Sequence, residues 1–459
     1  MSQDLERVAG PARLSAALAM IVFVPLAALP LRAEDSPSPV VTLADALRAA
    51  ADRSYASVAA GLDLASAREG TNRAKAPYWP SVSASSGWYG RDHEVVAVLS
   101  TPLGVLSAEE TQKNFFVADL SATQLLWDGG RRSSALRASQ SGEEAALMRG
   151  RAEVVAAQLE TLSTYLRILA LKAQRRVVEQ RVTSLEEHLR EAKDLYEQGL
   201  VARNDLLGTE VRLRNVKDQL GQIDNGQAVA EAALNRLMGR DPSETVLLPD
   251  SLSTSPPLPE TVSDLRKRLA ERSPVLRALR AREESERRTA DLRRREDLPS
   301  LFAKASHEYQ QNQYLSYPQS NVLFLGLNWS IFDGGARHAG RRQADLAVEK
   351  TQHEIDNVRR GLEIEVERAG RDYEQALREA ATARSNTSAA EENLRIVEDQ
   401  YKAGLARTTD VLDAEATLAE SRFAVANQHY TAYLRQGALL GAAGMDLVSF
   451  FGGGAASKE

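Results

Sequence analysis

The chain has 459 residues, of which 26% are charged and only 5% aromatic, a composition that suits long helices better than a thick globular core. The formal net charge of −6 gives no electrostatic attraction for nucleic acid, so nucleic acid is not expected among the partners. The absence of cysteine excludes disulfides, thiol catalysis and a lipid anchor on an N-terminal cysteine.

Residues 1–33 are typical of an export signal. Arg7 and Arg13 give a positive start, an apolar stretch follows over Leu14–Leu29, and Ala33 precedes a polar run. Cleavage after Ala33 is expected, with Ala28 as the alternative. A membrane anchor is the competing interpretation, but the apolar stretch is shorter than the ~20 residues that a spanning helix needs. We therefore expect an exported chain without a helical membrane span.

Short motifs occur twice at one separation, which predicts a duplicated chain. The segment Trp127–Arg131 (Trp-Asp-Gly-Gly-Arg) returns 205 positions later as Phe332–Ala336 (Phe-Asp-Gly-Gly-Ala). The same separation relates three further pairs, namely Tyr196 and Tyr401, Gly199-Leu200 and Gly404-Leu405, and Asp205 and Asp410. A period of this size indicates two copies of one large unit. We assign residues 34–240 to the first repeat and 261–441 to the second, with an equatorial linker at 241–260 and a flexible C-terminal tail at 442–459.

The separation differs before the strand region. Pro80-Ser81 matches Pro299-Ser300 at 219 positions, so the first half carries 14 extra residues between Pro80 and Asp128. The apolar run Glu94–Ser107 is expected to hold them as a loop.

Each half is predicted to contain a short helix, two strands, a long helix and a second short helix. The short helices are expected over Leu43–Ala76 and Leu206–Gly239, and the first long helix over Arg131–Gln198, which contains no proline. Apolar residues recur there in steps of three and four, as in a coiled coil. At 1.5 Å per residue the long helix is a rod of roughly 100 Å, which must lie against other helices.

The strand segments alternate between apolar and polar residues, as strands of a membrane barrel do. In Leu323–Ile331 the odd positions are all apolar, whereas Asn328 and Ser330 occupy even positions. A half-buried strand of a soluble sheet is the competing interpretation of any single segment. Four strands cannot close a barrel, and an open edge in lipid is not tolerated. The pattern therefore predicts that several chains form one pore.

The chain resembles the TolC-type outer-membrane efflux and secretion channel family from about Thr42 to Gly441. The features that carry the resemblance are Thr42-Leu43 with Ala46-Leu47, Ala76-Pro77 with Pro80, both aromatic-Asp-Gly-Gly turns, Gly199–Ala202 and Asp410–Ala414. It implies a mostly α fold with a small membrane β part, in which a homotrimer joins a helical barrel to a twelve-stranded barrel in outer-membrane lipid. It also implies a periplasmic tunnel that meets an inner-membrane pump or ABC transporter through a periplasmic adaptor (membrane fusion protein), without a cofactor.

The Gly199-Leu200 and Gly404-Leu405 turns are expected at the periplasmic tip, where an adaptor would bind. Because Asp410 and Asp413 are three residues apart, they share a helix face and could ring the entrance in a trimer. The resemblance places these aspartates at the aperture, together with Asp205 and Tyr401.

The resemblance also implies a basic residue at position 406 as the partner of Asp205. This chain has Ala406 there and Arg407 one residue later, so it is open whether Arg407 takes this role. Capping of the following helices is the competing role for Asp205 and Asp410.

The two Asp-Gly-Gly turns are expected to be structural. Their glycines, Gly129, Gly130, Gly334 and Gly335, let the chain swing from strand to helix. Asp128 and Asp333 can cap the helices that follow.

No arrangement of catalytic or metal-binding residues is recognisable, and the six histidines are expected at the surface or in packing contacts. The alternative function is that of a periplasmic coiled-coil adaptor in a transport complex. A tunnel needs no selective pocket, so the sequence does not distinguish efflux of drugs or metals from protein secretion.

Overall fold

A computed structural model describes residues 40–199, 202–252, 257–403 and 405–452. The predicted export signal lies outside this part of the chain. The helices are α1 (Leu43–Arg53), α2 (Tyr55–Lys75), α3 (Arg131–Glu197), α4 (Arg203–Leu237), α5 (Val262–Arg272), α6 (Pro274–Arg294), α7 (Ala336–Lys402), α8 (Thr408–Ala442) and α9 (Leu447–Gly452). The strands are β1 (Ser81–Gly90), β2 (Val95–Thr101), β3 (Gly104–Thr111), β4 (Asn114–Trp127), β5 (Ser300–Gln310) and β6 (Gln319–Asn328).

The two long helices, α3 and α7, have 67 residues each. The chain is mostly helical with a small β part, as predicted. The structure corrects the single short helix expected over Leu43–Ala76, because Ser54 divides it into α1 and α2. Ser54 is in an extended conformation, and its Oγ accepts a hydrogen bond from the Ser57 N–H at 3.2 Å. Ser273 divides α5 from α6 in the same way. A serine that caps a new helix thus bends each half at the same place.

The main core surrounds the middle of α3. Leu162, Tyr165 and Leu169 are buried there against α1, α4, α8 and α9. By length and composition α3 could cross a membrane, with a mean hydropathy of 1.2 over its most apolar 18 residues. Its buried residues Leu162, Tyr165, Ile168 and Leu169 belong to the main core.

The linker between the halves is held against this core. Val246 and Leu248 are buried, and the Val41 N–H donates to the Leu247 carbonyl at 2.8 Å. The Tyr165 hydroxyl donates to the Val41 carbonyl at 3.0 Å, which ties the start of the first half to α3.

The prediction of a flexible tail over residues 442–459 is wrong for Leu447–Gly452. Residues Leu447–Gly452 form α9, in which Leu447 is fully buried in the main core. The Gln158 amide of α3 donates to Asp446 at 2.9 Å just before this helix. The chain therefore packs back on α3 after α8 ends.

The main sheet is antiparallel, with the order β1-β4-β5-β6. One cross-strand row contains only apolar residues, namely Val82, Ala122, Ala305 and Leu323. A row on the opposite face contains only polar residues, namely Ser85, Asp119, Glu308 and Ser320. The predicted alternation therefore gives the sheet a mostly apolar face and a more polar face, although the polar face also carries Val117, Phe302 and Phe324. Within the chain, β1 and β6 are edge strands.

The extra residues of the first half do not form the loop expected over Glu94–Ser107. They form the hairpin β2–β3, a separate two-stranded sheet in which Leu99 pairs with Leu106. Gly104, with φ of +128°, follows the turn. The run was misread because its apolar residues do not alternate cleanly, so a strand period is hidden.

Candidate functional site

The two Asp-Gly-Gly turns connect β4 to α3 and β6 to α7 by one hydrogen-bonding pattern. The Asp128 carboxylate accepts from the Gly130 and Arg132 N–H groups at 3.0 and 2.7 Å. Asp333 accepts from Gly335 and Arg337 at 3.1 and 3.0 Å. The four turn glycines, Gly129, Gly130, Gly334 and Gly335, have positive φ angles between 66° and 89°. Each aspartate thus satisfies N–H groups at the start of a long helix.

The surroundings of the two turns differ. A Cβ placed on Gly129 would lie 2.6 Å from Leu298 Cδ1, and the Arg295 guanidinium donates to the Gly129 carbonyl at 2.8 Å. A Cβ placed on Gly334 would meet no described heavy atom within 4 Å. The reason is position in the sheet, because the first turn adjoins β5 whereas the second follows the edge strand β6.

The far ends of the long helices form the opposite end of the molecule. Gly199 ends α3 with φ of +74°. After α7, the Leu405 N–H donates to the Gln400 carbonyl at 2.8 Å, and the Leu405 side chain is 81% exposed. Leu200 and Gly404 lie outside the described residues.

The aperture candidates all lie at this end. Asp205 is half-buried in the first turn of α4, and Tyr401 is half-buried in the last turn of α7. The Arg407 N–H donates to the Asp410 carboxylate at 2.9 Å, so Asp410 caps the start of α8. Among the ion pairs of the described residues, none joins Asp205 to Arg407.

Asp413 instead joins α8 to α4. Its carboxylate accepts from the Arg212 guanidinium at 3.2 and 3.3 Å. Arg212 escaped sequence reasoning because it belongs to no repeated motif; its counterpart 205 positions later is Thr417. Only the packing of α4 near α8 reveals this connection.

Asp410 and Asp413 are exposed on one face of α8, and the residues between and beside them are buried on the other. The buried residues are Val411, Leu412, Ala414 and Glu415. The two carboxylates therefore face away from the core of their own subunit.

His188 departs from the expectation that histidines are surface or packing residues. Its Nε2 lies 3.0 Å from Oε1 of the buried Glu415. The spacing of histidines in the sequence could not reveal this pair, because the two residues lie on different helices. Among the described residues, no group of three or more His, Asp or Glu side chains could hold a metal ion.

Comparison with known proteins agrees with this architecture. The family model described as "outer membrane efflux protein" matches residues 46–240 and 265–445. Protein CyaE of Bordetella pertussis is 28% identical over 391 residues, which cover 81% of this chain and 77% of CyaE. The alkaline protease secretion protein AprF of Pseudomonas aeruginosa is 25% identical over 323 residues, which cover 68% of this chain and 66% of AprF.

Solved channel structures share the fold. The Campylobacter jejuni CmeC outer-membrane channel aligns with a TM-score of 0.74 at 15% identity, covering 88% of this chain and 85% of CmeC. The outer-membrane protein VceC of Vibrio cholerae gives 0.71 at 17% identity, covering 88% of this chain and 96% of VceC.

These findings confirm the resemblance to TolC-type channels and the location in the outer membrane with a helical tunnel in the periplasm. The prediction that the protein is a channel and not an enzyme is also confirmed, since its family and structural neighbours are channel proteins. The alternative of a periplasmic adaptor is wrong, because the family match spans both repeats. The chain belongs to the outer membrane efflux protein family.

Proposed function

We propose that three copies of this chain close into one exit duct, which crosses the outer membrane as a twelve-stranded barrel and continues through the periplasm as a helical tunnel. The observation that carries the proposal is the difference between the two Asp-Gly-Gly turns. In the first turn, Gly129 is covered by Leu298 from the second half of the chain. In the second turn, Gly334 has no described atom in the equivalent position. A second copy can supply the missing cover.

The match between the two repeats indicates which residue of the next copy would cover Gly334. Leu298 covers Gly129, and the match of Pro80 with Pro299 makes Trp79 the counterpart of Leu298. Gly334 is the counterpart of Gly129. Trp79 of one copy would therefore pack on Gly334 of the next, as Leu298 packs on Gly129 within the chain. The Trp79 side chain is 75% exposed in the isolated subunit. It therefore offers a large apolar surface that a second copy could cover.

The helices support the same contact between copies, which we call the seam. Within the chain α6 packs between α3 and α7, while α2 packs on α3. An α2 from the next copy would lie beside α7 as α6 lies beside α3. Tyr55 and Leu62 of α2 are 85% and 67% exposed, and Ile364 of α7 is 70% exposed. These side chains would be covered at such a seam.

The sheet sets a lower limit on the number of copies. Each chain supplies four strands to the main sheet, and membrane barrels have at least about eight. Three copies give twelve strands, the number that the family resemblance implies. The apolar face would contact lipid, and the polar face would line the pore.

The other end of the tunnel would bind a periplasmic adaptor and, through it, an inner-membrane pump or ABC transporter. Leu405, Leu207 and Val211 expose apolar side chains at or near this tip. We place the aperture at Asp205, Tyr401, Arg407, Asp410 and Asp413, with Gly199, Leu200, Gly404 and Leu405 in the adaptor contact. The name of AprF, a protease secretion protein, supports protein export as one cargo class beside small-molecule efflux.

Cysteine cross-linking tests the assembly directly, because the natural chain has no cysteine. The double variant Trp79→Cys with Gly334→Cys is expected to form disulfides between copies in outer membranes. A denaturing gel without reductant should then show covalent dimers and trimers.

The matched control is the double variant Leu298→Cys with Gly129→Cys. It places the same pair of positions within one chain, so it should give only monomers on the same gel. If the Trp79 and Gly334 pair also gave only monomers while the control pair oxidised fully, the proposed seam would be wrong.

A further inference from the structure

A titratable pair joins α3 to α8 in the part of the molecule that faces the tip. His188 Nε2 lies 3.0 Å from Glu415 Oε1, and the two side chains are 22% and 7% exposed. Glu415 belongs to the buried face of α8, among Leu412, Ala414 and Leu418. A carboxylate buried among apolar residues costs free energy unless a cation or hydrogen-bond donor compensates it. His188 is the donor that the structure provides.

The other charges around the imidazole come from α3 and α7. Glu191 of α3 lies 3.9 Å from His188 Nδ1, and Glu398 approaches from α7. The hydrogen bond to Glu415 raises the pKa of His188 above its ordinary value, and the charges of Glu415, Glu191 and Glu398 act in the same direction. Burial of the ring opposes them. The carboxylates thus favour the imidazolium form.

Two cations lie near Glu415, and one of them, Arg422, is engaged with other side chains, whereas Arg181 Nε is buried without a hydrogen-bond partner among the described residues. Arg181 of α3 and Arg422 of α8 line a cavity of about 190 Å³ beside Glu415. Arg422 donates to Glu391 at 3.0 Å and to Gln180 at 3.3 Å. Glu415 Oε2 has no hydrogen-bond partner within the described part of the protein. The cavity is large enough for water, which would let protons reach the pair.

We propose that protonated His188 clamps α8 to α3 and makes the packing of the helices in the half of the tunnel nearest the tip depend on pH. His188 lies eleven residues before Gly199 on α3, or roughly 16 Å from the tip. The part of this inference that concerns channel opening rests on the proposed function, in which the helices around the aperture move apart. The clamp itself is a property of the subunit.

The direction of the effect follows from proton linkage. A histidine whose pKa is raised by folding stabilises the folded arrangement fully below its ordinary pKa of 6.5. The stabilisation disappears as the pH rises through the raised pKa of the folded state. The clamp is therefore tight in mildly acidic periplasm and loose in alkaline periplasm.

Hydrogen–deuterium exchange of the purified full-length protein in detergent tests the clamp. Amide exchange in Thr408–Leu418, corrected for the intrinsic chemical rate, is compared at about pH 5.5 and about pH 8.5. The wild type should exchange roughly threefold or more faster at the higher pH. His188→Gln keeps a donor but cannot titrate, so its corrected exchange should be the same at both values.

Two further variants secure the result. Glu415→Gln removes the charged partner and should also abolish the pH dependence, which provides a second test if His188→Gln folds poorly. His353→Gln makes the same change at an exposed histidine of α7 and should retain the wild-type pH dependence. Equal pH dependence in wild type and both pair variants would overturn the clamp.

Single-channel recording separates the clamp from the proposed gate. If His188→Gln removes the pH dependence of both exchange and conductance, the clamp acts on opening. If it removes only that of exchange, the clamp stands and its connection to the proposed gate is overturned.

Discussion

At the level of single residues, two glycines show how surroundings change the role of one motif. Gly129 and Gly334 have φ angles of +66° and +69°, so each occupies the left-handed region that glycine enters at little cost. Only Gly129 is also covered, by Leu298. Its replacement must therefore combine backbone strain with overlap of side chains.

The substitution Gly129→Ala is expected to destabilise the protein by about 2–4 kcal/mol, since left-handed strain costs roughly 1–2 kcal/mol and overpacking adds a similar amount. Gly199→Ala is the matched control, because Gly199 has φ of +74° and a Cβ there meets no described atom within 4 Å. It should cost about 1–2 kcal/mol. Thermal unfolding in detergent, followed by circular dichroism, measures both. Equal losses would show that Leu298 gives way without cost.

At the level of elements, the long helices and the four strands of the main sheet were predictable, because their apolar periods persist over many residues. The break at Ser54 was not, since serine is also tolerated inside helices and only the capping contact to Ser57 distinguishes the two cases. Helix α9 was missed for a related reason. Its six residues are too few for a helical period, and packing on α3 stabilises it.

The contribution of α9 can be measured at Leu447, which is fully buried in the main core. Leu447→Ala is expected to cost about 2–5 kcal/mol, because it removes buried apolar surface and leaves a cavity. Leu405→Ala is the same change at a side chain that is 81% exposed, and it should stay within about 0.5 kcal/mol of wild type. Chemical denaturation of the two variants provides the comparison. A loss at Leu447 as small as that at Leu405 would mean that α9 does not support the core.

At the level of the whole molecule, the two repeats place different chemistry at the two ends of an outer-membrane channel. The Asp-Gly-Gly turns lie where the sheet meets the helices, and the candidate aperture lies at the far ends of the long helices. There the structure offers a link that the motifs did not suggest, the Arg212–Asp413 pair between α4 and α8. In the proposed gate this pair would hold the two helices together.

Arg212→Gln is therefore expected to raise single-channel conductance or open probability in a planar bilayer. Arg214→Gln is the matched control, because Arg214 pairs with Glu210 of its own helix at 3.2 Å and forms no ion pair with another element among the described residues. It should leave the conductance unchanged. Identical recordings from the two variants would remove the Arg212–Asp413 pair from the gate.

The sequence by itself determined the duplication, the long helices and the alternation along the strands, because repeated motifs and apolar periods can be read along the chain. Its resemblance to a channel family came from the motifs, and the family match over both repeats confirmed it. Only the tertiary structure decided which partners the site residues have. Asp413 meets Arg212, His188 meets Glu415, and Leu298 covers Gly129 because distant segments are packed side by side. No motif or regular spacing in the sequence reveals such contacts, since their geometry depends on how whole helices and strands lie against one another.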